Sequence, residues 1–207
     1  MDLASDYIDY EQQRDDRPIV LYGLSAGGME TYHVAAKNKK VKGIIGMTFL
    51  DQKNQQVRDE TAKNLFMSRV GIPMAGVASN IGLENFKMKM STASKMSALC
   101  NNEKVMEIFN RDKTSAANKA SMRFLDSYGN YKPAMEPEDF DVCPILLTQP
   151  EQDRWTPLHL STPFLNKIKK VDVKIVMLEN GGHYPVEQPA LDQMHDAIVE
   201  FIYKVTK

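Results

Sequence analysis

The pattern of hydrophobic and polar positions divides the first fifty residues into two buried strands with a helix between them. Residues 18–22 form a short apolar run between turn residues, and residues 41–49 form a second run. Apolar runs of this length are typical of strands that are covered on both faces of a parallel sheet. The alanine-containing segment 29–37 has helical character. Strand, helix and strand in this order predict a parallel β-α-β unit.

The same pattern returns in the last third of the chain. Residues 144–148 predict a third buried strand and residues 173–178 a fourth, with a helix near 157–168 between them. A short amphipathic helix is also expected at residues 2–13. In the final segment apolar residues recur at spacings of three and four, which predicts a helix with one face on a core. These residues are Leu191, Met194, Ile198, Phe201 and Val205.

A long segment separates the second predicted strand from the third. Its length of roughly 90 residues is far more than one crossover helix needs. The segment has helical character in short pieces, and residues such as Gly71 and Pro73 interrupt it. We therefore expect a helical cap at residues 57–135, inserted into a core made of residues 1–56 and 136–207.

Composition then limits the class of protein. The 207 residues are 43% hydrophobic and 26% charged, as in globular proteins, and 26 basic against 27 acidic residues leave a net charge of -1. A nucleic-acid-binding protein normally has a basic excess, so no nucleic-acid partner is expected. No apolar run approaches the roughly 20 residues of a transmembrane helix. Two cysteines, Cys100 and Cys143, cannot form a disulfide framework or a zinc site, which favours a reducing, cytoplasmic location.

The residues with the clearest chemical meaning directly follow the first strand. Residues 23–28 (GLSAGG) contain the pattern Gly-x-Ser-x-Gly, with Ser25 between Gly23 and Gly27. The pattern arises by chance in roughly one chain in fifteen of this size. Its position between a buried strand and a helix is nevertheless the position of a nucleophile elbow. We interpret the two glycines as residues that avoid clashes in a sharp, strained turn, which presents the hydroxyl at the helix N-terminus.

A serine hydroxyl needs a base to act as a nucleophile, and the base needs an orienting acid. With this type of elbow the order along the chain is serine, acid, histidine. Asp153 follows the third predicted strand and His183 follows the fourth. Because the carboxyl ends of parallel strands share one edge of the sheet, both candidates are expected beside Ser25. Glu151 is a close alternative for the acid, and we favour Asp153 for its spacing to Pro157.

Each of these residues also has a simpler interpretation. The glycine-rich turn either only connects strand to helix or binds phosphate, although it lacks the Gly-Lys-Ser/Thr ending of a P-loop. Asp153 is alternatively a turn acid, and His183 a solvated loop histidine. His33, His159 and His195 are expected on helix surfaces, and together they suggest no metal site.

On these residues the chain resembles an α/β-hydrolase of the serine esterase, lipase and lysophospholipase type. The similarity rests on residues 23–28, on Asp153 with Pro157 four residues later, and on the pair Gly182-His183. It extends over nearly the whole chain in the order of elements. The resemblance implies an α/β fold with a mostly parallel sheet and an inserted helical cap.

The resemblance also implies an activity and roles for particular residues. Ser25 would be the nucleophile, His183 the general base, Asp153 the orienting acid, and Ala26 the donor of one oxyanion-hole N–H. The implied reaction is hydrolysis of a carboxylic ester of the small lipid ester or lysophospholipid class, without a cofactor. Two alternatives stay open: a catalytically silent or fragmentary protein on this scaffold, and a peptidase, thioesterase or amidase with the same triad.

One departure from the family pattern concerns the start of the chain. Members of the family have several strands before the elbow, whereas Ser25 lies only 25 residues from Met1. The chain therefore resembles an N-terminally shortened hydrolase, without the loop that supplies the second oxyanion donor. Loss of one such donor typically costs about 100- to 1000-fold in turnover. The strand at 18–22 is then expected at an unprotected sheet edge, which favours aggregation or pairing with another copy.

Overall fold

The computed structural model describes residues 1–112, Thr114 and residues 119–207. The helices are α1 (Asp2–Arg14), α2 (Ala26–Asn38), α3 (Gln55–Thr61), α4 (Ile72–Ala78), α5 (Met90–Ala93), α6 (Glu103–Arg111), α7 (Met122–Asn130), α8 (Thr162–Leu165) and α9 (Ala190–Thr206). The strands are β1 (Val20–Gly23), β2 (Gly43–Gly46), β3 (Lys87–Lys89), β4 (Lys119–Ser121), β5 (Ile145–Pro150) and β6 (Val173–Leu178). Short π-helical turns cover Met67–Gly71 and Ser79–Leu83, and 3-10 turns cover Met96–Ala98, Pro137–Asp139 and Leu158–Leu160.

The four predicted strands form one sheet in the order β1-β2-β5-β6. The inner strands β2 and β5 are buried as predicted, whereas the prediction of burial is wrong for most residues of the edge strands β1 and β6. All three strand pairs are parallel. In the register of the sheet, Tyr22 lies opposite Ile45, which in turn lies opposite Leu146. The fold is therefore an α/β fold with a parallel central sheet, as the sequence predicts.

Helices cover both faces of this sheet. On one face the core contains the side chains of Ile8 from α1, Tyr32 from α2 and Phe164 from α8. The Tyr32 ring is fully buried, and its centroid lies 4.9 Å from that of Phe164. On the other face Phe201 of α9 packs near Leu146. Each fully buried side chain of this size contributes roughly 1.5–3 kcal/mol, so the two helical layers fix the carboxyl edge of the sheet.

Two elements are shorter than the sequence predicts. The run at 41–49 is a strand only at Gly43–Gly46, and its remaining residues apart from the exposed Lys42 are buried outside the ladder. The helix predicted at 157–168 is a 3-10 turn followed by the four residues of α8. Pro163 lies in the first turn of α8, where its missing N–H costs nothing, but it prevents one continuous helix through the region.

The segment between β2 and β5 is not wholly helical. Besides α3 to α7 it contains an antiparallel pair, β3 with β4, in which Met88 lies opposite Ala120. Gly71 and Pro73 do not interrupt the chain as predicted, because one helical stretch runs through both. Pro73 lies just after a π-helical turn, where the regular hydrogen-bond pattern of an α-helix is already interrupted. The cap boundaries at 57–135 stay a prediction.

Strand β1 lies at one edge of the sheet and pairs only with β2 among the described strands. Tyr22 in this strand is 48% exposed. The edge position agrees with the expectation from the sequence, while pairing with another copy stays a prediction. Within the described ranges, the structure contains no helix with the length and apolar character needed to cross a membrane.

Candidate active site

The turn between β1 and α2 holds Ser25 in a strained backbone conformation. Its φ of 52° and ψ of -125° lie in a region that residues with a side chain rarely adopt. Two hydrogen bonds to the Ser25 carbonyl oxygen hold this conformation, one from the Gly28 N–H at 2.9 Å and one from the Thr48 hydroxyl at 2.9 Å. Ala26 follows as the first residue of α2. Strain of this kind persists only where the surroundings impose it, and it is typical of functional sites.

Only one of the two glycines in the Gly-x-Ser-x-Gly pattern has the steric role that the sequence suggests. A Cβ on Gly23 would lie 2.0 Å from the Gly27 carbonyl oxygen, so Gly23 is required for the turn. A Cβ on Gly27 would meet no atom within 4 Å, and the steric interpretation of Gly27 is therefore wrong. The second tight position is Gly28, where a Cβ would lie 2.0 Å from the Thr48 carbonyl oxygen. The close approach of α2 to the loop after β2 explains this requirement.

The structure brings together the three side chains that the sequence singles out. His183 Nε2 lies 2.8 Å from Ser25 Oγ, and His183 Nδ1 lies 2.9 Å from Asp153 Oδ2. The side chains of His183 and Asp153 are both 1% exposed. Glu151, the alternative acid, is exposed in the turn after β5. With Nδ1–H donating to the aspartate, Nε2 is the nitrogen that can accept the serine proton.

The carboxylate of Asp153 is held by several donors. The backbone N–H groups of Trp155 and Thr156 donate to Oδ1 at 2.8 and 2.7 Å, and the Thr156 hydroxyl donates to Oδ2 at 2.7 Å. Burial by itself raises the pKa of Asp153, but the hydrogen bond and charge of His183 and the donors of Thr156 outweigh it. The pKa of Asp153 therefore lies below its ordinary value, and the group is ionised at neutral pH.

Two neighbours of His183 were not identified from the sequence. The buried hydroxyl of Thr156 lies 3.0 Å from His183 Nδ1 as well as bonding to Asp153. The Trp155 ring centroid lies 4.9 Å from that of His183, and its Nε1–H donates to the Thr61 carbonyl oxygen at the end of α3 at 3.0 Å. Only their positions in the sequence could have identified them. In a turn, the backbone N–H groups of the second and third residues after an aspartate commonly donate to its carboxylate.

A cavity of about 400 Å³ lies between α2, the loop after β2 and α7, and Ala26 lines it, whereas Ser25 and His183 do not. Its lining includes Met29, Leu50, Tyr128 and Phe164, so much of it is apolar. The N–H of Ala26 belongs to the first turn of α2, where backbone donors have no acceptor within the helix. The cavity thus reaches the residue that is the candidate oxyanion donor.

His33 also lines this cavity and is not the helix-surface residue that the sequence predicts. It is 9% exposed, and its Nδ1 has no hydrogen-bond partner among the described residues. Burial lowers the pKa of His33 to about 4. His159 and His195, by contrast, are exposed, as expected. In the described part of the chain, no cluster of three or more His, Cys, Asp and Glu side chains is arranged to hold a metal ion.

The parallel sheet and the elbow at its carboxyl edge make this chain an α/β-hydrolase. Comparison with protein families gives the same class and a narrower assignment. The model of the Hydrolase_4 family, described as serine aminopeptidase S33, matches residues 1–189, and the chain belongs to this family. No curated protein matches the chain in sequence.

Solved structures with the same fold include several lipases and hydrolases. A monoacylglycerol lipase from Paleococcus ferrophilus is 20% identical with a TM-score of 0.72, over 97% of this chain and 74% of that one. A soluble variant of monoglyceride lipase from Saccharomyces cerevisiae is 12% identical with a TM-score of 0.76, over 100% and 69%. The α/β-hydrolase GrgF from Penicillium sp. sh18 is 16% identical with a TM-score of 0.67, over 97% and 69%. At these identities the similarity establishes the fold.

Proposed function

We propose that the chain is a serine hydrolase that cleaves a carboxylic ester of the small lipid ester or lysophospholipid class. The observation that carries the proposal is the continuous hydrogen-bonded path from Ser25 Oγ through both nitrogens of His183 to Asp153. A strained serine, a correctly oriented imidazole and a buried carboxylate are the parts that acyl transfer to serine requires.

The proposed reaction has two acyl-transfer steps. Ser25 Oγ attacks the ester carbonyl carbon while its proton moves to His183 Nε2, and Asp153 stabilises the imidazolium that forms. The Ala26 N–H donates to the carbonyl oxygen as negative charge develops on it. The C–O bond then breaks, and His183 gives the proton to the leaving alcohol. Water attacks the acyl-enzyme with the same proton transfers, which releases the carboxylic acid and restores the Ser25 hydroxyl.

Two observations support a lipid ester as substrate. Apolar side chains such as Met29, Leu50 and Phe164 form part of the lining of the cavity beside Ala26, and its volume of about 400 Å³ falls within the range of small-molecule sites, roughly 300–1,000 Å³. Two of the similar solved structures are described as lipases of monoacylglycerol or monoglyceride. A single acyl chain on a small alcohol suits a cavity of this size and character.

Peptide hydrolysis is the second candidate, because the family description names a serine aminopeptidase. The carboxylates of Glu30 and Asp51 also line the cavity beside Ala26. A carboxylate in this lining is the kind of group that would bind the ammonium of a peptide N-terminus. The same triad would also serve a thioesterase or amidase, and a catalytically silent protein is the remaining alternative.

A substrate panel tests the proposal. Turnover would be measured with p-nitrophenyl butyrate and octanoate, a monoacylglycerol, a lysophosphatidylcholine and alanine p-nitroanilide. We expect turnover of the esters, its loss in Ser25→Ala, and no change in Ser91→Ala, which alters an exposed cap serine. Turnover of the anilide alone would establish the peptidase instead. A folded chain that turns over none of these substrates would contradict the proposal.

A further inference from the structure

A third segment of the chain holds the loops that carry Asp153 and His183. This segment, residues 99–101, follows the 3-10 turn Met96–Ala98 in the stretch between β2 and β5, and we call it the bridging segment. Its Leu99 carbonyl oxygen accepts the N–H of Tyr184 at 2.8 Å. That N–H belongs to the peptide group directly after His183. The bridging segment therefore holds the backbone from which the imidazole projects.

The side-chain amide of Asn101 makes the corresponding contact with the Asp153 loop. Its Nδ2 donates to the Gln152 carbonyl oxygen at 3.1 Å, and this oxygen belongs to the peptide group directly before Asp153. Its Oδ1 accepts from Arg154 Nε at 2.8 Å. The amide thus bonds to both neighbours of Asp153. The arginine also orients the amide, because its donor requires the amide oxygen and leaves Nδ2 for the carbonyl.

Asn101 also packs directly on the residue before His183. A Cβ on Gly182 would lie 2.8 Å from Asn101 Cγ and 2.8 Å from its Nδ2. The backbone of Gly182 does not have a positive φ, so close packing, and not backbone conformation, requires a glycine here. The contacts of the bridging segment with Tyr184, Gln152 and Gly182 therefore join the two loops around the triad.

The bridging segment is itself anchored at two points. The Cys100 side chain is buried, with 1% exposed. Directly after the segment, Asn102 is the N-cap of α6, and its Oδ1 accepts the N–H groups of Lys104 and Val105 at 3.1 and 3.3 Å. A buried side chain on one side and a helix cap on the other restrict the backbone of Asn101. Because its backbone is held, the amide can keep two loops at a fixed separation.

The two loops also bond directly to each other, because the Gln152 N–H donates to the Gly181 carbonyl oxygen at 2.9 Å. Joined there alone, the loops could still rotate about that bond. The Asn101 amide provides a second point of attachment, on the peptide group next to Asp153. Two points fix a rotation that one point leaves free. The 2.9 Å contact between Asp153 Oδ2 and His183 Nδ1 depends on this rotation.

We propose that Asn101 is a positioning residue for the triad, which holds the Asp153 and His183 loops at the separation that general-base catalysis needs. The proposal rests on the proposed function and deepens it. Asn101 acts through the backbone of the two loops. Loss of its amide lengthens the contact between Asp153 and His183, and the imidazole then no longer keeps Nε2 directed at Ser25 Oγ. A displacement of about 1 Å at such a group costs up to about 100-fold in rate.

Steady-state kinetics with p-nitrophenyl butyrate tests the proposal. Asn101→Ala should lower kcat by between about tenfold and 100-fold with little change in KM, because it disturbs the triad and removes no group that binds the ester. Asn101→Asp keeps the acceptor for Arg154 but loses the donor to Gln152, so its kcat should fall as well. Asn110→Ala alters an exposed asparagine on α6 and should behave like the wild type. An unchanged kcat in folded Asn101→Ala would overturn the proposal.

A pair of substitutions tests the contact between Asn101 and Gly182. Gly182→Ala directs a methyl group at the Asn101 amide and should lower kcat by a similar factor. In the Asn101→Ala background the same substitution should cost at most about threefold more, since the amide that it displaces is absent. Equal effects of Gly182→Ala in both backgrounds would show that the two residues act independently, which contradicts the proposal.

A spectroscopic measurement separates this proposal from the proposed function. The proton between His183 Nδ1 and Asp153 should give a low-field NMR signal in the wild type, and His183→Ala should remove it. Asn101→Ala, or the exposed-site variant Arg154→Ala if the former does not fold, should shift the signal upfield or broaden it. A wild type that shows this response without turnover of esters would refute the proposed function and leave the positioning role intact. Ester turnover with a signal and a kcat that neither variant changes would refute the positioning role alone.

Discussion

Burial of His33 should make the folded chain less stable in mild acid. The imidazole is 9% exposed, and its Nδ1 has no partner among the described residues. Burial lowers the pKa of His33 from the ordinary 6.5 to about 4. Among the nearby charges, Asp51 raises this pKa, whereas Lys53 and the N-terminal ammonium lower it. The unfolded chain therefore binds a proton near pH 6.5, whereas the folded chain binds it only near pH 4. The contribution of His33 to the free energy of unfolding is fully present above pH 6.5 and is lost as the pH decreases towards 4.

The size of this effect follows from the two pKa values. Proton linkage gives a loss of about 2 kcal/mol between pH 7.5 and pH 5.0 for this group. The matched variant is His33→Phe, which keeps a ring beside Tyr32 and Tyr131, whose centroids lie 5.4 and 4.5 Å from that of His33. Urea unfolding of both proteins at both pH values removes the contribution of all other groups. The wild type should lose about 2 kcal/mol more than His33→Phe. Equal losses in the two proteins would refute the reasoning.

Two further substitutions test the site and its support. Thr156→Val removes the hydroxyl that bonds to Asp153 and lies beside His183, so kcat should fall about tenfold with little change in KM, and Thr156→Ser should restore it. Steady-state kinetics of the two variants checks this; an unchanged kcat in the valine variant would exclude a positioning role. Gly28→Ala directs a methyl group at the Thr48 carbonyl oxygen and should cost about 3 kcal/mol or more in unfolding free energy. Gly27→Ala, where a Cβ meets no atom within 4 Å, should leave stability nearly unchanged; similar losses in both would contradict the steric argument.

The proximity of Ser25, Asp153 and His183 could be predicted, because each of them follows a strand of the same parallel sheet. Four apolar runs in sequence predicted one sheet, and the carboxyl ends of its strands share an edge. Residues that follow different strands therefore meet there, even at the sequence separation of 158 between Ser25 and His183. Local patterns were enough to locate the four strands, but they predicted burial for all of them, whereas β1 and β6 lie at the edges of the sheet and are largely not buried.

Other features depend on contacts that a single sequence does not reveal. His33 is buried because α2 packs against other elements on nearly all sides. The polar character of the His33 side chain had predicted an exposed position. The pairing of β3 with β4 joins short segments that alternate weakly between apolar and polar, which pattern analysis reads as helix or loop. The steric role of Gly28 rather than Gly27 depends on how closely α2 approaches the loop after β2, a distance that only the tertiary structure sets.

The most direct test of the central claim is covalent labelling of the proposed nucleophile. The full chain would be treated with a fluorophosphonate, which reacts with activated serines, and the modified peptide would be identified by mass spectrometry. We predict one label on Ser25, strongly reduced in His183→Ala, because that substitution removes the group 2.8 Å from Ser25 Oγ that accepts its proton. Labelling of wild type and His183→Ala at equal rates, or no label on a folded chain, would contradict the account.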